Sequence, residues 1–159
     1  MRRLPLSLAL GAAILAAAAS AGIAAETAAP APAYAPGLGD FMTAYVQPHH
    51  IKLWYAASAG DWDLAAYEAD ELGETFDDVS TYAPTWKSVP VAKLVEAIFR
   101  PALKKVDAAV AAKNMADFKN AYDTLTAACN SCHVTAHHPF LQIGVPATNP
   151  FSDQIFRHR

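Results

Sequence analysis

Both cysteines of this 159-residue chain, and three of its six histidines, fall within Ala127 to Pro139, AACNSCHVTAHHP. Thiols and imidazoles this close together can form a disulfide, a redox-active dithiol, a metal site, or an attachment point for haem. The spacing Cys129-Asn130-Ser131-Cys132-His133 is Cys-x-x-Cys-His, the attachment signature of c-type haem. At about 100° per residue on a helix, Cys129, Cys132 and His133 lie within an arc of about 100°. Two thiols can then add to the vinyl groups of one porphyrin edge while the adjacent imidazole turns under the ring.

The rivals each lack something. A thioredoxin-like dithiol sits at the start of a helix that follows a strand, where the helix dipole lowers the thiol pKa. Here the motif falls near a helix C-terminus, with no strand signal before it. Zinc would draw on Cys129, Cys132 and His137 or His138, but no second cysteine pair supplies a fourth ligand. Thiols three apart on a regular helix suit a disulfide poorly, and the loop closed is too short to stabilise much.

The elements that must position the motif are helices. Alternating apolar and polar runs are absent, and no Asn-Gly or Asp-Gly turn joins β-rich stretches. A first helix is predicted over 38–58, with Leu38, Met42, Val46, His49 or His50, Leu53 and Ala57 on one stripe and a kink or restart at Pro48. A second, over 62–82, carries Leu64, Tyr67, Leu72, Phe76 and Val79 inward and its acids outward. Ser88 is a candidate N-cap for a third, with Pro90 in its first turn, Val91, Leu94, Val95, Ile98, Leu103, Val106 and Val110 inward, and a second kink at Pro101.

Asn114, with Asp117 three residues later, caps a fourth helix running from Met115 to about His138, where Pro139 ends it. Its inward seam, Phe118, Tyr122, Leu125, Cys129, Cys132 and His133, continues straight into the motif. Four helices with short connections predict an all-α fold: an antiparallel four-helix bundle over 38–138. Residues 139–159 read as an irregular C-terminal strap.

The N-terminus reads as an export signal over 1–25. Arg2 and Arg3 precede an apolar run to Ala25 that contains small residues suited to cleavage. An uncleaved anchor is the alternative for that run. Residues 26–37 form an alanine- and proline-rich leader. The formal charge of −3 becomes −5 without the two arginines, with 10 basic against 15 acidic residues. This is no electrostatic footprint for nucleic acid. Eight acids lie between Asp61 and Asp78, either a solvated helix face or a docking surface for a basic partner.

With the motif on the last of four helices in an exported chain, the sequence resembles the cytochrome c′ family. The resemblance covers roughly 38–138 and implies one covalently attached haem c, thioether roles for Cys129 and Cys132, and His133 as proximal iron ligand. Two departures stand out. Family members usually carry a basic residue, often arginine, four positions after the haem histidine, where this chain has His137, and they usually end soon afterwards.

The resemblance also makes the second axial position decisive. High-spin relatives leave it empty and bind small gases; low-spin relatives place a methionine there, near the start of the first helix, and carry electrons. In an antiparallel pair, Met42 lies at the depth of His133. His49 and His50 are the alternative ligands. His137 is expected near the haem edge, and His138 and His158 in solvent.

The resulting expectation is a periplasmic monohaem electron carrier, with Met42 as the second metal ligand and a redox protein as partner. A five-coordinate protein binding a gas such as nitric oxide is the alternative. An enzyme such as a peroxidase is disfavoured, since the first helix has no arginine to stabilise a departing oxide. Trp54, Tyr55 and Trp62 are candidate residues for a homodimer interface.

Overall fold

In the computed structural model the described residues are 34–156, so the segment read as an export signal or anchor, most of the leader, and His158 lie outside them. Four helices make up this region. Helix α1, 38–58, comprises Leu38–Phe41, a π-helical turn Met42–Val46, and Gln47–Ser58. Helix α2 is Trp62–Tyr82; helix α3, 91–111, comprises Val91–Leu94, a second π-helical turn Val95–Phe99, and Arg100–Ala111; helix α4 is Met115–Thr135. No strand occurs among the described residues, and none of their helices is long and apolar enough to cross a membrane.

The two π turns explain what the prolines do. Proline has no N–H, and its ring clashes with the carbonyl four residues earlier. Ahead of Pro48 and Pro101 the chain widens by one residue, so that Gln47 N–H reaches Met42 C=O and Arg100 N–H reaches Val95 C=O. The chain thus passes both prolines through local wide turns rather than by a restart of the helix. This widening suits an inward spacing of four. Val91, Val95 and Phe99 are all buried, so Phe99 takes the core position expected of Ile98, which is only partly buried.

Sequence neighbours pack side by side, and α1 against α4 closes the ring, giving an up-down-up-down bundle. Its core includes Leu53, Leu72, Val79, Val106, Phe118, Tyr122 and Leu125, each almost wholly removed from water.

Other expectations need correction. Tyr67 is 54% exposed, whereas Glu68 is 1% exposed. Glu68 occupies the stripe Leu64, Glu68, Leu72, Phe76, and it is tolerated there because His49 Nδ1 on α1 lies 2.7 Å from its carboxylate. Ser88 caps nothing: Trp86 and Val89 exchange backbone hydrogen bonds of 3.0 and 2.9 Å around it, and the N-cap is Pro90. Trp54, Tyr55 and Trp62, the candidate dimer residues, make internal contacts while each stays partly exposed, which leaves that expectation as it stood. Trp54 meets Phe118 and Tyr122, Trp62 meets Phe118, and Tyr55 meets Phe156 of the strap.

Gly73, inside α2, offers a test of this packing. A Cβ built there would lie 3.5 Å from Leu103 Cδ2, an ordinary contact. Alanine is the better helix former by about 0.8–1 kcal/mol. Gly73→Ala should therefore raise the urea midpoint at unchanged slope, by an amount equivalent to about 1 kcal/mol.

Candidate functional site

Helix α4 starts as read. Asn114 Oδ1 accepts hydrogen bonds from Ala116 N–H (2.9 Å) and Asp117 N–H (3.2 Å). It stops at Thr135, three residues short of the expected end, because the chain enters the left-handed region at His137 (φ 60°) rather than running on to Pro139. His138 N–H bonds His133 C=O at 2.8 Å and His137 N–H bonds Val134 C=O at 3.0 Å. This is a Schellman ending, and histidine is among the few side chains often found at such a position.

The seam is buried through Phe118, Tyr122 and Leu125 and becomes half-buried at Cys129, Cys132 and His133. The reactive groups thus lie where the core opens at one end of the bundle. Both cysteines are unpaired. Burial pushes the Cys129 thiol up to about 12 and raises that of Cys132. Protonated thiols near a helix C-terminus are the opposite of an activated dithiol, whose pKa is lowered.

The zinc alternative also fails to assemble. Among the described residues no group of three or more His, Cys, Asp and Glu side chains converges on a metal position. His137 is exposed, and His138 packs edge-on against Trp86 with ring centroids 4.7 Å apart. His138 is therefore half-buried rather than fully in solvent, with Nδ1–H donating to Ala136 C=O at 2.8 Å.

His133 Nδ1–H donates to Leu141 C=O at 2.7 Å. That bond selects the tautomer whose Nε2 lone pair is available to a metal. Nothing in residue spacing announces it, because the acceptor is a backbone carbonyl of the irregular strap. Asn130, inside the motif, was likewise missed. Its Nδ2–H donates to Ile143 C=O (2.9 Å) and its Oδ1 accepts from Ile143 N–H (2.8 Å).

On α1, His50 is 3% exposed, with Nε2 3.0 Å from Thr126 Oγ1 and Nδ1 2.9 Å from the Tyr122 hydroxyl. That hydroxyl donates to His50 C=O at 2.9 Å, and desolvation lowers the imidazole pKa to about 4. His49 faces Glu68, and also approaches Glu71 at 3.8 Å. Met42 is half-buried at the start of the first π turn, packed against the core. The contacts of His50 set the α1–α4 register. Two turns back along α1 lies Met42, and two turns forward along α4 from Thr126 lies Val134, the neighbour of His133.

Fold and site together define an all-α four-helix domain with two free thiols and an oriented imidazole at one end of its last helix. In comparisons with known proteins, no family model, no curated protein and no solved structure matches the chain.

Proposed function

We propose that this chain is an exported, monohaem c-type cytochrome that transfers electrons. The observation that carries the reading is the set of three groups at the end of α4. Two unpaired thiols stand one helical turn apart, and the next residue is an imidazole whose Nδ1–H is already engaged. This donor set fits haem c. Cys129 and Cys132 would supply the thioether bonds and His133 Nε2 the proximal ligand. Bound haem would supply the one-electron couple.

The remaining work belongs to the chain. Half-burial of the thiols keeps one edge of the site near the surface, where an electron can leave. The core above Leu125 excludes water from the other side. His49 and His50 are engaged with Glu68, Tyr122 and Thr126, which favours Met42 among the distal candidates. A thioether on the iron favours the reduced state and raises the potential. The acidic face of α2 would steer a basic redox partner in the periplasm.

The visible spectrum of protein co-expressed with a haem-attachment system tests the reading. A sharp low-spin reduced spectrum, converted to high spin by Met42→Ala, is expected. A high-spin wild type that binds nitric oxide would move the function to gas binding. A colourless wild type would sink the haem reading altogether.

A further inference from the structure

Residues beyond the Schellman ending form no helix, yet they are tied back to the motif at several points. Leu141 N–H donates to His138 C=O at 3.0 Å, and Leu141 C=O accepts from His133 Nδ1–H at 2.7 Å. Two residues further on, Ile143 exchanges two hydrogen bonds with the Asn130 carboxamide. The segment then crosses to α1, where Lys52 Nζ lies 5.0 Å from the centre of the Phe151 ring and Phe156 stands 5.7 Å from Tyr55.

A single exposed N–H···O=C bond competes with water and is weak on its own. A carbonyl held in place on both sides loses less entropy on accepting it. The Asn130 pair on one side and the Leu141–His138 bond on the other supply that hold. We infer that the C-terminal strap is a positioning device for His133, with Asn130 as its clamp: it fixes the imidazole as the Nδ1–H tautomer and directs Nε2 to the iron.

This inference rests on the haem reading for the identity of the metal, but the clamp itself is visible without it. An imidazole donating to a carbonyl is the more basic ligand. It favours the oxidised iron, so releasing the clamp raises the potential.

The test uses the full chain with 15N-labelled histidine. In the haem-free wild type at neutral to mildly alkaline pH, long-range proton–nitrogen correlation should show His133 as the Nδ1–H tautomer. Asn130→Ala should lose that signal and populate Nε2–H at unchanged helical circular dichroism. Asn130→Asp keeps the acceptor for Ile143 N–H but not the donor, so it should be intermediate; it also carries the test if the alanine variant folds poorly. In haem-loaded protein, Asn130→Ala should have a higher midpoint potential than wild type.

An Nε2–H tautomer in the wild type, or a potential unmoved by Asn130→Ala, overturns the inference. A fixed Nδ1–H tautomer in a chain that never takes up haem would overturn the haem reading and leave the hold of the strap on the imidazole standing.

Discussion

Cys129→Ser combined with Cys132→Ser abolishes covalent haem on the proposed reading. The haem stain that follows the polypeptide through denaturing electrophoresis disappears, because serine hydroxyls do not form the thioether bonds. Each single variant keeps one thioether and gives a weaker stain with a shifted reduced band. His133→Ala keeps both thiols, so haem that is attached loses its proximal nitrogen and the low-spin spectrum collapses. The same variants lower thermal stability, because a group bound to the folded chain and not to the unfolded one adds its binding free energy to folding. The motif lies where the packed core gives way to half-buried side chains, so the haem would complete that end of the bundle. If stain persisted in the double serine variant, the cysteines would not be the attachment points.

Acidification from pH 6.5 to 4 should remove about 3 kcal/mol of stability through His50 alone. Its pKa is lowered from 6.5 to about 4 by burial between α1 and α4. The depressed value means that the unfolded chain binds a proton in this window while the folded chain does not. Stability therefore rises with pH between these values, is fully present above 6.5, and is lost as pH falls towards 4. Urea unfolding across the window measures the slope, and His50→Gln should flatten its share, since glutamine does not titrate. Glutamine offers different donors to Tyr122 and Thr126, so the variant will be less stable at pH 7. The diagnostic quantity is the slope, and an unchanged slope would remove His50 as its source.

His50 also shows where reading residues in order reaches its limit. The stripe on α1 admitted either histidine as inward, and only the partners on other helices separate them. Thr126 and Tyr122 take His50, while a buried carboxylate on α2 takes His49. Glu68 was hidden for the same reason. Its position on the i, i+4 stripe was legible, but its charge argued against burial until the histidine on the neighbouring helix was placed. Tyr67 has an aromatic ring that suits the core, yet it lies off the i, i+4 stripe and stands 54% exposed.

Local chemistry was more legible. The Asn114 cap and the ends of the first two helices, Ser58 and Tyr82, follow from residues close in sequence, because capping and turn chemistry act within a turn. At the fourth end, Pro139 pointed to the right region, and the left-handed turn at His137 moved the stop back to Thr135.

By itself the amino-acid sequence determined an all-α bundle, the position of the Cys-x-x-Cys-His motif on the last helix, and the donor types available there. Periodicity and spacing are properties of a single chain segment, so they survive without coordinates. Tertiary structure alone decided that His49 and His50 are engaged, and that the strap returns to His133 through Leu141 and to Asn130 through Ile143. Those outcomes depend on hydrogen bonds between distant segments, several of them to backbone atoms that every residue carries, and such bonds leave no mark in the order of side chains.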